Sequence, residues 1–293
     1  MPKHGLFVGN VTLDLIYLAD APPLSNQKVV AQNAAIAAGG PATNAAVAFR
    51  YLGNTATIVG AIGQHPLTQL IRADLQNCQV QVLDLDSARL EPPPVSSIVV
   101  TQSTGDRAVV SLNAIKFQLS VDRLPSDLLD GIDIVLIDGH QMQIGAAIAQ
   151  IARDRAIPVV IDGGSWKPEF ETVLPWTDYA ICSANFQPPN GSFGVAPSAN
   201  REIISFLETF GISQIAITQG GRSIKVVDHQ QRLQIEVPQI AVVDTLGAGD
   251  FFHGAFCHHI LETDFATALS RSVEVAARSC ASFGTRDWMK IQQ

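Results

Sequence analysis

The sequence predicts one α/β domain, residues 1–293, with a mostly parallel sheet that carries helices on both faces. Short continuous apolar runs alternate with segments of helical periodicity, which is typical of buried parallel strands and their connecting helices. Of the 293 residues, 47% are hydrophobic and 16% are charged, so the chain can form a large buried core. No internal repeat, low-complexity segment or interdomain linker interrupts the alternation.

In the first half of the chain, strands and helices are predicted as far as residue 85, followed by a hairpin. The strands are 6–8, 55–62 and 80–85, the helices are 41–52 and 67–76, and the hairpin pairs 96–102 with 108–112. The first helix has Pro41 in its first turn and Gly53 at its end, as helices often do. Residues 28–37 have a β-like pattern with polar interruptions.

The second half alternates more regularly. The predicted strands are 132–138, 158–162, 179–183 and 214–218, and the helices are 144–156, 200–210, 248–261 and 265–282. A β-rich stretch precedes the helix at 248, and its last part is 233–243.

Composition excludes several classes of function. With 19 basic and 27 acidic residues the net charge is −8, and no basic block could neutralise a row of phosphates, so nucleic acid is not an expected partner. The four cysteines are far apart in sequence, which argues against a disulfide framework or a zinc site. The N-terminus lacks a signal-peptide pattern, and no apolar run reaches the roughly 18 residues that span a bilayer. We expect a cytoplasmic protein without a membrane partner.

The small-residue turn Gly247-Ala248-Gly249 is the first candidate for chemistry. It lies between the β-rich stretch and a helix, where successive backbone N–H groups and the helix dipole form an anion site. Asp250 follows in the first helical turn. A carboxylate there is either a helix cap or a base directed at a hydroxyl beside the bound anion.

Two segments carry a resemblance to a known family. Asp-Thr-Leu-Gly-Ala-Gly-Asp, residues 244–250, resembles the C-terminal signature of the ribokinase-like carbohydrate kinases, the PfkB family. Ala-Gly-Gly-Pro-Ala-Thr-Asn, residues 38–44, resembles the N-terminal signature. The resemblance covers essentially the whole chain. It implies a three-layer α/β/α sandwich with a small β-sheet lid over the sugar site, formed by residues 12–37 and 96–112.

The resemblance also implies the activity. An ATP-dependent sugar kinase transfers the γ-phosphoryl group to a hydroxyl of a small sugar. Asp250 would act as general base, and the backbone N–H groups of Gly247, Ala248 and Gly249 would stabilise the transferring phosphoryl group. ATP and Mg²⁺ are the implied cofactors, and a requirement for a monovalent cation is left open.

Family positions that hold the sugar match residues of this chain. They are Asp14, Gly39, Gly40 and Asn44, with His140 as a further candidate sugar contact and Arg107, at the hairpin tip, as a candidate contact to the phosphates when the lid closes. Each polar candidate also has an ordinary structural interpretation: a turn cap for Asp14, a helix-start residue for Asn44, a solvated hairpin residue for Arg107 and part of the cleft wall for His140. The family match favours sugar binding for Asp14, Gly40 and Asn44.

The nucleotide is expected at Thr218, Gly220 and Gly221, which resemble the family's Thr-x-Gly segment, with Lys167 and Asn185 as further candidates. The chain departs from the family at Pro41, where several members have another asparagine, and more plainly at a second point. Many members have Asn-x-x-Glu where this sequence has Asn185-Phe186-Gln187-Pro188, so a metal-organising acid is missing. No protein metal ligand is therefore predicted, and magnesium would arrive with the nucleotide and be held largely through water.

Alternatives remain at this point. The chain has neither a Walker A motif nor Gly-x-Gly-x-x-Gly, which argues against P-loop and dinucleotide-binding proteins. Within the family, the sequence is most similar to the ketohexokinase and sulfofructose kinase group, which implies a ketohexose or a derivative as acceptor. A nucleoside kinase of the same fold and a catalytically silent sugar-binding regulator are the alternatives.

The expected partners are the sugar, ATP and a second copy of the chain. A projecting lid sheet would have an apolar face with nothing of its own chain to cover it, which favours a homodimer joined through the lids. Ile98, Val99 and Val109 are the predicted members of that face.

Overall fold

The computed structural model describes residues 1–112, 117–189 and 200–290. Its strands are β1 (His4–Val8), β2 (Thr12–Ala19), β3 (Asn33–Gly39), β4 (Thr55–Gly60), β5 (Gln81–Asp84), β6 (Val95–Thr101), β7 (Arg107–Ser111), β8 (Ile134–Ile137), β9 (Val159–Gly163), β10 (Tyr179–Ser183), β11 (Gln214–Gln219), β12 (Arg222–Asp228) and β13 (Gln231–Ile235). Its α-helices are α1 (Pro41–Tyr51), α2 (Thr68–Asn77), α3 (Met142–Asp154), α4 (Asn200–Glu208), α5 (Ala248–His259) and α6 (Phe265–Ser279).

The larger sheet is mostly parallel, as predicted. Within the described residues it has the strand order β13-β12-β11-β10-β9-β8-β1-β4-β5. The strands from β11 to β5 in this order are parallel, and β12 and β13 continue the sheet antiparallel at one edge. The carboxyl ends of β1, β8, β9, β10 and β11 therefore lie along one edge of the sheet.

Helices cover both faces of this sheet because its strands are apolar on both sides. Leu6 and Val8 of β1 belong to a core that includes α3 and α4. Phe7, between them, belongs to the opposite core with α1, α2, α5 and α6. This alternation explains the continuous apolar runs in the sequence and produces three layers.

The smaller sheet has the order β3-β2-β6-β7. β2 pairs with β6 in parallel, so the prediction that segments 12–37 and 96–112 share a sheet is confirmed. The predicted bounds were inaccurate on one side, because residues 20–32 form a connection and β3 begins only at Asn33. The Pro22-Pro23 pair and the polar residues that follow explain this connection, since they favour turns over strands.

The two faces of the smaller sheet differ from the predicted assignment. Ile98 is buried and packs with Ile16, Val100 and Phe283, so it faces the main body. Val109 lies opposite Ile98 in the register and is on the same face. Of the three predicted outward residues, only Val99 is on the outward face. There the register aligns it with four other side chains, Leu15, Tyr17, Ile36 and Val110.

The β-rich stretch before α5 is shorter than predicted. β13 ends at Ile235, and residues 236–247 form neither strand nor helix. Pro238 lacks the N–H group that would continue the ladder. The backbone bonds instead to two distant loops: Val243 N donates to Cys280 O at 2.8 Å, and Thr245 N donates to Gly105 O at 3.2 Å.

Helices α1 and α5 both begin at the carboxyl edge of the sheet and pack against each other. Their approach depends on Gly254, because a Cβ added at this residue would lie only 2.2 Å from Ala45 O. Gly249, one turn earlier in α5, has no atom within 4 Å of the equivalent point. The two glycines therefore allow a controlled comparison, because both lie on α5 but only Gly254 has no room for a Cβ.

We expect Gly254→Ala to lower the free energy of unfolding by about 1–3 kcal/mol, because the added methyl group pushes α5 away from α1. Gly249→Ala should leave it unchanged or raise it by up to about 1 kcal/mol, since alanine is the better helix former. Urea denaturation measures both variants. Equal stabilities would show that the close approach is unimportant.

Candidate active site

A turn at residues 244–247 positions the start of α5. Asp244 is buried, and its two carboxylate oxygens accept hydrogen bonds from Leu246 N and Gly284 N, both at 2.8 Å. Gly247 then adopts a φ of 75°, a conformation that favours glycine, and caps the helix. The turn is thus fixed at both ends.

The predicted anion site, Gly247 to Gly249, lies at the N-terminus of α5, where Ala248 N donates a long hydrogen bond of 3.4 Å to Thr245 O. The first N–H groups of an α-helix have no partner within the helix, and they point along the dipole at its N-terminus. Gly249 is exposed, and the space around it is open. An anion such as a phosphoryl group can approach these N–H groups directly.

Asp250 lies in the first turn of α5, and its Oδ2 accepts a hydrogen bond of 2.8 Å from Asn44 Nδ2 on α1. Burial, together with the nearby charge of Asp162, raises the pKa of Asp250 to about 7. The hydrogen bond from Asn44 and the charges of His253 and Arg107 oppose that rise. A carboxylate with this pKa can accept a proton at neutral pH.

His253 connects α5 to the edge of the sheet. Its Nδ1 lies 2.7 Å from Gly249 O and 3.4 Å from Asp162 Oδ2, and its Nε2 lies 3.1 Å from Ile181 O. The helix start is therefore held over the ends of β9 and β10. Sequence reasoning identified neither His253 nor Asp162, although Asp162 lies near the end of a predicted strand.

Asp14 is not in a turn beyond β1 but within β2, and its side chain is buried. Thr12 Oγ1 donates to Asp14 Oδ1 at 2.8 Å. A Cβ at Gly39 would lie 2.0 Å from Asp14 Oδ2, so glycine is required there to make room for the carboxylate. Burial raises the pKa of Asp14, against hydrogen bonds from Thr12 and Ser96 and the charge of Arg286.

Gly40 brings the start of α1 against the end of β1. Its φ is 102°, and a Cβ there would lie 2.2 Å from Asn10 O. Thr43 Oγ1 also donates to Asn10 O, at 3.0 Å. Asn10 was missed in the sequence, although it follows a buried strand in the same way that Asp138 does.

Asp138 joins β1, α1 and β8. It accepts hydrogen bonds from Asn10 N at 3.0 Å, Ala42 N at 3.2 Å and His140 N at 2.9 Å. Burial alone would raise the pKa of Asp138, but the charge of His140 and the hydrogen bonds from His140 and Asn10 outweigh burial and lower it. His140 Nδ1 lies 3.1 Å from Asp138 Oδ1, so this carboxylate also orients the predicted sugar contact.

Lys167 follows β9, and its predicted nucleotide contact stays a prediction. Its side chain is buried, its Nζ donates to Ser165 O at 3.3 Å, and its charge acts on Asp138. The loop after β9 therefore places this lysine between the two predicted binding groups and beside the sugar group.

The nucleotide candidates Thr218, Gly220, Gly221 and Asn185 follow the neighbouring strands β10 and β11. Thr218 pairs with Ser183, and Ala184 N donates to Thr218 O at 3.0 Å. Asn185 and both glycines are exposed at this edge. Along the sheet, these candidates lie beyond β9, whereas the sugar candidates lie at β1 and β8. The start of α5 lies between the two groups.

Arg107 is the first residue of β7, and it contacts the turn before α5. Its Nη1 donates to Thr245 Oγ1 at 3.0 Å. At the hairpin tip, a Cβ at Gly105 would lie 2.6 Å from a methyl group of Val242. The tip of the smaller sheet therefore rests on the same turn that forms the anion site.

Two further observations on the described residues concern metal binding and membrane-spanning helices. Across residues 1–112, 117–189 and 200–290, no group of three or more His, Cys, Asp or Glu side chains could hold a metal ion. Over the same ranges, no helix is both long and apolar enough to cross a membrane. The expectation that magnesium reaches the site with the nucleotide stays a prediction.

Comparison with known proteins gives a consistent result. The family model described as pfkB family carbohydrate kinase matches residues 3–291. The chain is 23% identical to a ribokinase of Lactococcus lactis subsp. lactis over 96% of its own length and 92% of the relative's. It is 24% identical to the fructosamine kinase FrlD of Bacillus subtilis over 84% of each chain.

Solved structures show the same fold. Ribokinase from Giardia lamblia superposes with a TM-score of 0.82 at 18% identity, covering 99% of this chain and 96% of the other. Ribokinase from Arabidopsis thaliana, complexed with ribose and ATP, superposes with a TM-score of 0.75 at 19% identity and covers 99% of both chains.

The raised pKa of Asp250 predicts how stability depends on pH. Between the unfolded value near 3.8 and about 7, the native state holds the Asp250 proton more tightly than the unfolded state does. Ionising this carboxyl group therefore destabilises the fold as the pH rises through that window. We expect Asp250→Asn to raise the free energy of unfolding by about 1–4 kcal/mol at pH 8 and to change it little at pH 4.

Denaturation of wild type and variant at both pH values measures this difference. Asp154→Asn, at an exposed carboxylate that ends α3, is the control and should show no such pH-dependent gain. If Asp250→Asn raised the free energy of unfolding equally at pH 4 and pH 8, ionisation of Asp250 would not be the cause of the gain.

Proposed function

Because the chain belongs to the pfkB family of carbohydrate kinases and is thus an ATP-dependent phosphotransferase with a hydroxyl acceptor, we propose that it phosphorylates a ketohexose or a ketohexose derivative with Asp250 as general base. One observation carries the assignment of the base. Asp250 occupies the same helical turn as the anion site and is hydrogen-bonded to Asn44, a predicted sugar contact.

Asp250 accepts the proton of the attacking hydroxyl as the bond from oxygen to phosphorus forms and the bond to the leaving ADP oxygen breaks. The N–H groups at Gly247, Ala248 and Gly249 hold the phosphoryl oxygens, on which negative charge is concentrated in the transition state. Donors of this kind are typically worth about 2.7–4 kcal/mol each. This geometry supports transfer to a hydroxyl that is within reach of both the Asp250 carboxylate and a phosphoryl group held at the start of α5.

The acceptor sugar is bound by Asp14, Asn44 and His140, with Gly39 giving room for the Asp14 carboxylate and Gly40 for the close approach of α1 to Asn10. Asp14 on β2 and Asn44 on α1 are buried polar groups, and sugar hydroxyls satisfy such groups well. One relative, the fructosamine kinase FrlD, is named for a ketose derivative, whereas the ribokinase and deoxyribokinase relatives are named for aldopentoses, so acceptor assays must decide between the two classes.

ATP lies over the ends of β10 and β11, against Thr218, Gly220, Gly221 and Asn185. Arg107 supplies a cation near the phosphoryl group, since its guanidinium already acts on Asp250. Magnesium, when bound with the nucleotide, neutralises phosphate charge. Lys167 lies between the sugar and nucleotide candidates, where its charge acts on Asp138, and it remains a candidate nucleotide contact.

A nucleoside kinase is the second candidate, favoured by one observation. A cavity of about 280 Å³ adjoins Asn10, and its walls are mainly apolar: Val11, Ala61, Ile62, Pro92, Pro93, Pro94, Leu112 and Phe117. Such a cavity suits a base or another apolar substituent on the sugar. An acceptor panel of ketohexoses, pentoses and nucleosides, assayed by ADP release with purified protein, distinguishes the candidates.

In that panel we expect the highest kcat/KM with a ketohexose or its derivative. A higher value with nucleosides would establish the second candidate instead. A failure to release ADP with every acceptor in the panel would favour the catalytically silent regulator.

Asp250→Asn should lower kcat by about two to four orders of magnitude, because the variant has no carboxylate to accept the hydroxyl proton. Nucleotide affinity, measured by calorimetry, should remain close to wild type. Asp154→Asn again serves as the control. Near-normal turnover of Asp250→Asn would remove the base from this assignment.

We also propose a homodimer joined through the outward face of the smaller sheet. Exposed fractions there are 56% for Ile36 and 77% for Val110, in register with Tyr17 and Val99. A contiguous apolar face of this kind is uncommon on a monomer, and a symmetric partner covers it with the same residues.

Val110→Lys should convert the dimer into a monomer, because each interface would bury two ammonium groups. Ile151→Lys, a similar change on the exposed side of α3, should leave the dimer intact. Sedimentation velocity at micromolar protein measures both variants. A wild-type protein that sediments only as a monomer would refute the dimer.

A further inference from the structure

Arg286 connects separate parts of the sugar side of the site. Its Nη1 donates to Asn44 Oδ1 at 3.1 Å, and its Nη2 donates to Ala38 O at 2.7 Å. Its Nε and Nη2 donate to Asp74 Oδ2 on α2, at 3.2 and 2.9 Å. The side chain is 14% exposed. These contacts join α1, β3 and α2. The contact on α1 is Asn44, the residue that hydrogen-bonds to Asp250.

The arginine determines which way the Asn44 amide faces. A guanidinium group has donors and no acceptor, so the atom of Asn44 that faces Arg286 must be the carbonyl oxygen. The NH₂ group then faces Asp250 and donates to its carboxylate. The reversed amide would place two donors together at Arg286 and a carbonyl oxygen against the carboxylate of Asp250.

We propose that Arg286 is a positioning residue that keeps Asp250 available as a base by holding the Asn44 amide in its donating orientation. The inference rests on the proposed function of Asp250. Arg286 touches neither Asp250 nor the acceptor position directly, so its effect passes through Asn44.

Other groups also act on Asp250, and they must be separated from this effect. The charge of Asp162 on β9 raises its pKa, and the charges of His253 on α5 and Arg107 on β7 lower it. The charge of Arg286 lowers the pKa of Asp14, so a change in the acceptor KM alone does not report on Asp250. The acid limb of the pH profile of kcat is the diagnostic measurement.

Arg286→Ala allows the amide to turn. We expect the acid limb of kcat to move up by about one pH unit, the size expected when a hydrogen bond to a carboxylate is lost. Activity would be about fivefold lower at pH 7 and close to wild type near pH 9.

Chemical rescue provides a second measurement. A cavity of about 490 Å³ is lined by Arg286, Tyr51, Cys78 and Met289, which gives a small cation access to the vacated position. Guanidinium chloride at low millimolar concentration should restore the acid limb of Arg286→Ala, whereas an equal concentration of tetramethylammonium chloride should not.

Asp74→Asn is the matched control. It removes the charge partner of Arg286 and retains an oxygen that can accept from the guanidinium and from Ala38 N. We expect it to lower stability without moving the acid limb. Arg286→Lys, which keeps one donor, should fold if the alanine variant does not. Its acid limb should shift less than that of Arg286→Ala, because the lysine can still donate to Asn44. A shift should remain, because one ammonium group cannot hold Asn44 and Asp74 in the same geometry.

An unchanged acid limb in Arg286→Ala, or in Arg286→Lys if only the lysine variant folds, overturns the inference, even if melting temperature falls. So does an equal shift in Asp74→Asn, because it would indicate general destabilisation. Failure of the proposed function gives a different result: Asp250→Asn would then keep its turnover. A direct ¹³C NMR titration of the Asp250 carboxyl group, in wild type and in Arg286→Ala, reads the same shift without any acceptor.

Discussion

The close packing of α1 against α5 is the constraint on which the site depends. Gly254 of α5 lies against the backbone of Ala45 in α1, and this approach brings the two helix starts together. Only at that separation can Asn44 donate to Asp250 at 2.8 Å. The parallel sheet supplies the rest of the geometry, because its strands end at one edge and both helices begin there.

Charge burial follows from the same packing. Asp250 lies in a low-dielectric environment near another carboxylate, Asp162, and that environment raises its pKa towards neutrality. The unfavourable carboxylate is the one that the proposed reaction uses. Elsewhere at the edge, Asp138 accepts several hydrogen bonds that lower its pKa, so it serves as a fixed anchor. Neighbouring carboxylates therefore take different roles according to their hydrogen-bond partners.

Local sequence patterns predicted the elements and the turn before α5 well. Pro41 and the glycine-rich turn at 247 are strong signals for helix starts, and the apolar runs locate the strands of the large sheet. Patterns of apolar residues did less well where tertiary contacts decide. Residues 236–243 look β-like, yet their backbone bonds to distant loops. Ile98 and Val99 are equally apolar, and only strand register determines which of them faces the body.

The remaining site residues act through partners that are distant in sequence. Arg286 and Asn44 are 242 positions apart, and no local pattern links them. The sequence does not distinguish His253 from an ordinary buried helical residue. Only the folded structure places Asp162 and Ile181 O beside its ring nitrogens. In contrast, Asn10 and Asp162 could have been found by taking every polar residue at the end of a predicted parallel strand as a site candidate.

The turn before α5 also links the smaller sheet to the chemistry. Thr245 N is hydrogen-bonded to Gly105 O, and Thr245 Oγ1 accepts from Arg107, so the hairpin tip and the anion site share one short segment. Asp244 anchors that segment from beneath through Gly284 N. Displacement of the tip would therefore disturb the turn that leads into the N-terminus of α5. Any movement of the smaller sheet is therefore coupled to the geometry of the proposed anion site through this one segment, which gives the proposed kinase a physical means of linking closure over the acceptor to phosphoryl binding.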